Sequence, residues 1–332
     1  MSAPLTALFH AFHSRDRMLR FVPDFPQINW IVVHTAAEVA AHIGAVQIAV
    51  LNNRACSPEV GAALRANASS NLAWIHFVTA GIEKGIAMGL PAGVPVTNAA
   101  GANGPVLAEH AIGLLLASMR RFHDMFRAQD AQEWRRLLIT PHMRGLEGAR
   151  VCIIGLGAAG RQIARRLRAF DCDVIAISRG GSDENISRVY PREALRAALA
   201  ISDVAIVCTN SDASSYHMLG EAEFAAMKRG GYVVNVARGE IIDERALIAA
   251  LQSGHLAGAG LDVTEVEPLP AGDPLWTCPN VIIAPHIAGG GAGEGGYRRQ
   301  KDLFAENLVR LQAGQPLLSL VDMSAVPAAA SD

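Results

Sequence analysis

Short apolar runs rich in valine and isoleucine alternate with longer segments of helical periodicity along most of this chain. Eight runs are strand candidates: WIVVH, VQIAVL, LAWIHFV, RVCIIGL, DVIAIS, DVAIVC, YVVNVA and NVIIAP. Continuous apolar strands separated by helical segments are typical of parallel sheets that are covered by helices on both faces. The pattern therefore predicts an α/β protein.

The strand candidates fall into two groups, which predicts two sheets. Three of them lie before about residue 99, and five begin at Arg150, after a long helical segment and a polar stretch. The tail YRRQKDLFAENLVRLQAG places Phe304, Leu308 and Leu311 on one face and reads as a terminal helix. The periodicity does not say which sheet that helix covers.

Composition and charge narrow the class of protein. The 332 residues suffice for two domains with buried cores, and a net charge of -2 gives no reason to expect nucleic acid or an anionic membrane as a partner. The five cysteines show no C-x-x-C spacing, the N-terminus lacks a signal-peptide core, and no apolar run is long enough to cross a membrane. We therefore expect a cytoplasmic protein with reduced thiols. No H-E-x-x-H motif occurs, so no metal site is expected.

A glycine motif follows the fourth strand candidate. In RVCIIGLGAAGRQIARRLRAF, Gly155, Gly157 and Gly160 form G-x-G-x-x-G between an apolar strand and a helical segment, and a further strand comes next. This strand–turn–helix–strand context predicts a dinucleotide site, with the pyrophosphate at the start of the helix. The alternative is a glycine turn of purely structural use.

Four polar residues follow strand ends in the second half of the chain. Arg238 ends one strand, Asp262 ends the next in AGAGLDV, Glu267 follows in EVEP, and His286 follows the last. The carboxyl ends of parallel strands line one crevice, so these side chains are expected to converge. Arginine can bind a carboxylate through two hydrogen bonds, and a histidine beside a carboxylate can exchange a proton near neutral pH. Beside a dinucleotide, this set suggests hydride transfer to a 2-keto acid.

Structural interpretations of the same residues stay open. Arg238 and Glu267 could form an ion pair that only stabilises the fold, and His286 could be a hydrogen-bonded loop histidine. Glu109 and His110 on the long helix are interpreted as structural, because buried polar pairs commonly satisfy each other.

The sequence resembles the D-isomer-specific 2-hydroxyacid dehydrogenases over nearly its whole length. The matching pieces are VTAGIEKGI, VTNAAGANGPVLAEHAIGLLLA, GARVCIIGLGAAGRQIA, MKRGGYVVNVARGEIIDERALIAALQSGHLAGAGLDVTEVEPLP and PLWTCPNVIIAPHIAGG. The third and fourth pieces together are highly specific. The interpretation leans towards the glyoxylate/hydroxypyruvate reductase-like branch.

The resemblance implies two doubly wound parallel-sheet domains, with a Rossmann-type cofactor domain inserted into a flavodoxin-like substrate domain. The expected substrate domain is 1–99 with 290–332, and the expected dinucleotide-binding domain is 100–289. The active site is then expected in the cleft between the domains, and the C-terminal helix is expected to return to the first one. Family members are commonly homodimers through the region after the long helix.

The resemblance also implies roles for individual residues. Arg238 would bind the substrate carboxylate and keto oxygen, His286 would donate the proton, and Glu267 would hold His286. Asp262 would bind the nicotinamide carboxamide. The remaining cofactor positions are Gly155, Gly157, Ala158, Ala159, Gly160, Ser178, Arg179, Cys208 and Ala237, and the remaining substrate positions are Ala80, Gly81, Asn103 and Arg54.

Two stretches depart from the family pattern. Relatives usually have a proline-threonine signature after the strand DVAIVC, whereas this chain has TNSDASSYHML with Asn210 where proline is usual. That loop borders the adenosine side, so the family pattern does not predict how adenine packs here. The run AGGGAGEGG after His286 is a flexible hinge or simply a loose loop, since glycine permits both.

The end of the strand DVIAIS bears on the choice of cofactor. NAD-preferring enzymes of this fold carry an acid there, whereas this chain has Ser178 and Arg179, then two glycines. A serine hydroxyl and a guanidinium can bind a 2'-phosphate, so NADP is expected in preference to NAD. The alternative is that Arg179 is a solvated turn residue and both cofactors are used.

The sequence thus predicts an oxidoreductase that reduces a small 2-keto acid, such as glyoxylate or hydroxypyruvate, to the D-2-hydroxy acid. The alternative is a nucleotide-sensing binding protein, or corepressor-like module, on the same fold. A sensor would bind the cofactor with little oxidation of it when keto acids are added.

Overall fold

The computed structural model describes residues 4–14 and 17–323. These residues divide into two compact units. The first consists of the residues up to Ala102 together with those from Gly293 onward, and the second is Asn103–Ala292. The second unit is therefore inserted into the first along the chain.

The first unit is built on a five-stranded sheet. Its strands are β1 (Thr6–His10), β2 (Asn29–Val33), β3 (Ile48–Leu51), β4 (Trp74–Phe77) and β5 (Val96–Asn98). They are ordered β2-β1-β3-β4-β5, and every neighbouring pair is parallel. This is the flavodoxin-like order, in which ligand-binding loops follow the carboxyl ends of the strands where the order reverses.

The second unit contains a seven-stranded parallel sheet. Its strands are β6 (Arg150–Ile154), β7 (Asp173–Ile177), β8 (Arg188–Tyr190), β9 (Val204–Val207), β10 (Gly231–Asn235), β11 (Leu256–Leu261) and β12 (Val281–Ile283). The order is β12-β11-β10-β9-β6-β7-β8. Counted within the unit, this is the Rossmann order extended by one strand, with the reversal between β6 and β9. The two sheets confirm the predicted fold class.

Helices occur between most successive strands. They are α1 (Phe21–Asp24), α2 (Ala36–His42), α3 (Pro58–Asn67), α4 (Glu83–Ala87), α5 (Gly104–Met119), α6 (Phe122–Asp130), α7 (Arg136–Ile139), α8 (Ala158–Arg168), α9 (Leu195–Ala200), α10 (Glu221–Ala226), α11 (Glu244–Gln252) and α12 (Gly293–Gln312). Side-chain caps begin three of them: Thr35 forms a capping box with Glu38, and Ser57 and Asp243 accept backbone N–H groups.

The terminal helix α12 packs in the first unit. Phe304 is fully buried, its ring stacks on Trp74 with centroids 4.9 Å apart, and it meets Phe25 edge to face. Leu308 is buried beside it, as the helical spacing of the tail predicts. Aromatic side chains therefore fill one face of this sheet. The cores of the second unit are mainly aliphatic.

Three strands were not predicted, β1, β5 and β8, and each is five residues or fewer. The strand β11, with the glycine-rich sequence LAGAGL, lies outside the eight candidate runs but was expected from AGAGLDV, where Asp262 ends a strand. Glycine is required in β11, since a Cβ on Gly258 would lie 2.2 Å from Asn280 and one on Gly260 would lie 2.7 Å from Leu114. The run YVVNVA is also shorter as a strand than expected, because β10 ends at Asn235 and a turn carries the chain to Arg238.

No helix in the part of the chain that the structure describes combines the length and apolar character that a membrane crossing requires.

Candidate active site

The glycine motif forms a close-packed turn between β6 and α8. Gly155 has φ of +108°, and a Cβ there would lie 2.7 Å from the backbone of Thr209. A Cβ on Gly160 would lie 2.1 Å from the carbonyl oxygen of Gly155. Gly155 is therefore needed for a left-handed backbone, and Gly160 for the contact between helix and strand.

The start of α8 fits a dinucleotide pyrophosphate. Gly157 precedes the helix without a side-chain cap, and a Cβ on it would meet no heavy atom within 4 Å. Ala158 is exposed and Ala159 is half-buried, so the first turn of an eleven-residue helix faces open space with unpaired N–H groups. A helix N-terminus of this kind favours a phosphate anion.

The loop after β7 is organised by Arg161 of α8. The Arg161 guanidinium donates to the Ser182 carbonyl oxygen at 2.6 Å and contacts the Asp183 carboxylate at 3.1 Å. Burial of Asp183 opposes its ionisation, but hydrogen bonds from Asn185 and Arg161 outweigh it, so the pKa of its carboxyl lies below the usual value. An acid thus lies five residues beyond Ser178, already neutralised by Arg161.

Ser178 and Arg179 lie at the turn itself. The Ser178 hydroxyl donates to the Gly180 carbonyl oxygen at 2.7 Å and accepts the Gly180 N–H. Arg179 is exposed, and its charge contributes to the lowered pKa of Asp212, whose largest cause is a hydrogen bond from Ser214. Asp212 belongs to the loop that departs from the family signature. That loop therefore places a carboxylate near Arg179.

Cys208 closes the cradle on the side of β9. Its thiol donates to the Gly155 carbonyl oxygen at 3.1 Å, and burial raises the pKa of the thiol to about 12. A neutral thiol adds no negative charge beside a phosphate site.

Arg238 lies in a turn held from two sides. The Asn235 side chain accepts the Ala237 N–H at 3.0 Å and donates to the Arg238 carbonyl oxygen at 2.9 Å. On the other side, a Cβ on Gly239 would lie 2.0 Å from the Thr264 backbone. The turn with Arg238 and the segment with Glu267 therefore pack in direct contact.

Glu267 and His286 form a hydrogen-bonded pair. The Glu267 Oε2 atom lies 2.7 Å from His286 Nδ1, and both side chains are partly exposed. Nδ1 donates when the carboxylate is ionised, which leaves Nε2 as the ring atom that can exchange a proton. Sequence reasoning expected this pairing, and the structure brings the two side chains together.

Asp262 binds the chain that follows His286. Its carboxylate is 2% exposed and accepts the N–H groups of Ile287 and Ala288 at 2.9 Å each. His110 Nε2 of α5 lies 3.2 Å from the same carboxylate. The Asp262 carbonyl oxygen accepts the His286 N–H at 2.8 Å, and His286 has a left-handed φ of +52°. Asp262 therefore fixes a strained turn that places His286.

Asn103 begins α5 in this second unit. It makes no side-chain cap, and a Cβ on Gly289 would lie 3.6 Å from its amide nitrogen. It therefore lies beside the glycine-rich segment after His286.

The substrate positions of the first unit share one sheet edge. Arg54 is exposed in the turn after β3, and its backbone N–H donates to the side-chain oxygen of Asn52. Ala80 and Gly81 follow β4, where their carbonyl oxygens accept from Asn98 and Thr79 at 2.7 and 2.8 Å. Since β3 and β4 are parallel neighbours, these residues come to the same carboxyl edge.

Sequence reasoning placed Arg161 near the phosphates but missed two residues of the second unit that shape the site, Asn235 and Asp183. Asn235 was concealed inside an apolar run, although an asparagine two residues before a turn is a recognised signal for a side-chain-stabilised turn. The ion pair of Arg161 and Asp183 joins residues 22 positions apart and leaves no local pattern. Among the described residues, no group of three or more metal-binding side chains occurs.

Comparison with known proteins identifies the family. Residues 112–288 match the model of the D-isomer specific 2-hydroxyacid dehydrogenase, NAD binding domain. The chain is 34% identical over 240 residues to a glyoxylate reductase of Korarchaeum cryptofilum. The aligned region covers 70% of this chain and 71% of the relative.

Solved structures extend the likeness to nearly the whole chain. A D-isomer specific 2-hydroxyacid dehydrogenase family protein of Aeromonas salmonicida is 29% identical with a TM-score of 0.81, and covers 97% of this chain and 100% of its own. An enzyme of the same description from Xanthobacter autotrophicus, in complex with NADPH and MES, is 29% identical with a TM-score of 0.79, and covers 97% of this chain and 99% of its own. The resemblance seen in the sequence is confirmed: this chain belongs to the D-isomer specific 2-hydroxyacid dehydrogenase family and is an NAD(P)-dependent oxidoreductase.

Proposed function

We propose that this enzyme reduces a small 2-keto acid to the D-2-hydroxy acid, with glyoxylate and hydroxypyruvate as the first substrates to test. The observation that carries the proposal is the Glu267–His286 hydrogen bond on a segment packed against the turn of Arg238. The side chains that we propose as proton donor and as carboxylate-binding cation thus follow strands of the same sheet as the glycine cradle. The 34% identical relative named glyoxylate reductase supports this choice of substrate.

In this proposal each side chain has a distinct task. The Arg238 guanidinium binds the substrate carboxylate and holds the keto oxygen. The protonated Nε2 of His286 gives its proton to that oxygen, while Glu267 stabilises the imidazolium from Nδ1. The reduced nicotinamide supplies the hydride when the cofactor is bound. Asp262 is the proposed partner of the carboxamide, and its carboxylate also anchors the turn after His286.

The cofactor site takes NADP in preference to NAD in this proposal. Residues Gly155, Gly157, Ala158, Ala159 and Gly160 would hold the pyrophosphate, and Ser178 and Arg179 would bind the 2'-phosphate. Cys208 and Ala237 would line the remaining cofactor surface. The NADPH complex of the 29% identical Xanthobacter protein supports the choice. The unpaired state of all five cysteines agrees with the cytoplasmic location that we propose.

In the first unit, Arg54, Ala80 and Gly81 are proposed to contact the substrate, together with Asn103 of the second unit. The first unit is then the substrate domain and the second the dinucleotide-binding domain. The backbone N–H groups of Ala80 and Gly81 are suited to a carboxylate, whereas Arg54 would act through its charge.

The partner for assembly is proposed to be a second copy of this chain. Around α6 and α7, Phe126, Trp134, Leu137 and Leu138 are 60%, 94%, 85% and 69% exposed. Large apolar side chains concentrated in this way mark an interaction surface, and the family resemblance implies homodimers through this region. Analytical sedimentation of the double variant Trp134→Ser with Leu137→Ser tests this assignment. The assembly formed by the wild type is expected to have twice the mass of the variant.

A substrate panel tests the function. Glyoxylate, hydroxypyruvate, pyruvate and phenylpyruvate are each supplied to the full-length protein with NADPH or NADH, and oxidation of the cofactor is followed. Turnover of glyoxylate or hydroxypyruvate is expected, with a D product from hydroxypyruvate, since the product of glyoxylate reduction has no stereocentre. Tight cofactor binding without oxidation by any of the four acids would instead support the nucleotide-sensing alternative.

A further inference from the structure

We propose that Asn235 is a positioning residue that sets the place of Arg238 through the backbone of their shared turn. The inference rests on the proposed function, since it matters only if Arg238 binds the substrate anion. Asn235 is the last residue of β10 and is 1% exposed, so its side chain cannot itself reach solvent.

Both polar atoms of the Asn235 side chain are used within the turn. Oδ1 accepts the Ala237 N–H at 3.0 Å, and Nδ2 donates to the Arg238 carbonyl oxygen at 2.9 Å. The two hydrogen bonds fix the peptide groups on either side of the bond between Ala237 and Arg238, and hence the direction in which the chain leaves the strand. An amide with one acceptor and one donor is the side chain that satisfies both groups at once.

Other contacts also hold the turn. The Arg238 guanidinium donates to the Ala237 carbonyl oxygen at 2.6 Å, and the Ile241 N–H donates to the Arg238 carbonyl oxygen at 3.4 Å. Val236 donates its N–H to Val207, which continues the sheet for one more residue. Gly239 lies against the Thr264 backbone, where no Cβ would fit. Asn235 adds two buried hydrogen bonds to these contacts, so its loss is expected to let the turn shift, and a displacement on the order of 1 Å at a binding group can cost about a hundredfold in rate.

Asn235 also joins the turns of Arg238 and His286. Its carbonyl oxygen accepts the Asp262 N–H at 2.9 Å, and the Asp262 carbonyl oxygen accepts the His286 N–H at 2.8 Å. Asp262 then holds Ile287 and Ala288 through its carboxylate, much as Asn235 holds Ala237 and Arg238. Buried side chains at neighbouring strand ends thus perform the same task for two residues of the site.

The test replaces Asn235 by aspartate. Asn235→Asp has the same shape and keeps the acceptor for Ala237, but it places an oxygen against the Arg238 carbonyl oxygen. The expected result is a loss of about 30- to 100-fold in kcat/KM for glyoxylate, mostly through KM, with the NADPH dissociation constant changed by less than about twofold. Because the new carboxylate could attract the guanidinium, the neutral Asn235→Ser serves as a second variant, and it also replaces the first if Asn235→Asp does not fold. A smaller loss in the same direction is expected from it.

Asn280→Asp is the matched control. Asn280 is also buried in the second unit, and its amide donates to the Ala257 carbonyl oxygen at the amino end of β12. The Asn280→Asp variant loses the same kind of hydrogen bond, but at the amino end of a strand, whereas Arg238 follows the carboxyl end of one. We expect a comparable fall in thermal stability and a kcat/KM within about twofold of wild type.

A double variant separates positioning from general damage. If Asn235 acts through Arg238, then adding Asn235→Asp to Arg238→Ala should lower kcat/KM by less than about threefold further, and not by the full factor seen in the wild-type background. Multiplicative losses, or equal effects of Asn235→Asp and Asn280→Asp, would overturn the inference while leaving the proposed function intact. Full activity of Arg238→Ala alone would instead overturn the proposed role of Arg238 and the inference with it.

Discussion

The buried polar side chains of the two units differ in place and in use. In the first unit, His76 is fully buried in the middle of the sheet, on β4, and Thr97 lies beside it on β5. In the second unit, Asn235 and Asp262 are buried at or just after strand ends. The first pair contacts other core side chains, whereas the second pair binds the backbone of the turns that carry Arg238 and His286.

This difference separates stability from chemistry. A polar group in the middle of a sheet can contact only its neighbours in the core, so it affects the free energy of unfolding. A polar group at a carboxyl strand end can shape the loop that binds a ligand. Substitutions in the first set should therefore change stability, and substitutions in the second set should change activity.

The largest effect is expected at Arg238. Arg238→Ala removes a charge-assisted, bidentate contact to the substrate, and we expect kcat/KM to fall by about a thousandfold or more, with unchanged unfolding behaviour. Arg238→Lys should recover only part of the activity, because an ammonium cannot make the two-pronged contact. Steady-state kinetics with glyoxylate measure both variants. Near-normal activity of Arg238→Ala would remove it from the site.

The first unit should show the next largest effect, as a loss of stability in acid. The Trp74 indole donates to the Thr97 hydroxyl, which lies 2.8 Å from His76 Nδ1. The Thr97 hydroxyl thus links the Trp74 indole to the His76 ring and gives that ring a neutral hydrogen-bond partner. Burial lowers the pKa of His76 to about 3, against 6.5 for a free side chain.

The direction of this pH dependence follows from that lowered pKa. Below pH 6.5 the unfolded chain binds a proton at His76 that the folded unit does not, so stability is full above that pH and falls as the pH drops towards about 3. At pH 5 the loss is about 2 kcal/mol. His76→Gln should remove this dependence. Tryptophan fluorescence during urea unfolding reports the first unit, since Trp74 is buried while Trp134 and Trp276 of the second unit are exposed. An equal pH slope in both proteins would contradict the assignment.

The same contrast explains how much the sequence could predict. Gly155, Gly157 and Gly160 could be predicted as a cofactor turn because their spacing reflects local backbone geometry. Arg238 and His286 could be predicted to converge because parallel strands bring their ends together. The side-chain partners were harder. That His76 meets Thr97, or that Asn235 holds a turn, depends on strand neighbours or on a turn whose geometry no periodicity encodes. The strand β1 was missed because five residues without a flanking turn signal give too little pattern.

A smaller effect is expected for the choice of cofactor. Ser178 and Arg179 should favour NADPH over NADH by at least about tenfold in kcat/KM, the worth of one interaction near 1.4 kcal/mol. Ser178→Asp with Arg179→Ala should move the preference towards NADH. Arg161→Ala is a second informative variant, because it removes the ion-pair partner of Asp183. The unpaired Asp183 carboxylate should repel the 2'-phosphate and also lower the preference for NADPH. Equal use of both cofactors by the wild type would leave Arg179 as a solvated turn residue.

The smallest effect is expected for Glu267→Gln. The glutamine oxygen can still accept from His286 Nδ1, so the orientation of the ring is kept and only the negative charge is lost. Without that charge the ring loses a solvent-screened electrostatic contact, and kcat/KM for reduction should fall by less than about fivefold, because the side chains of Glu267 and His286 are 38% and 48% exposed. The measurement is kcat/KM for glyoxylate in both proteins, with His286→Ala as the control that should lose reduction but retain cofactor binding. An unchanged kcat/KM would mean that Glu267 only orients His286, and the proton-donor role would then rest on His286 alone.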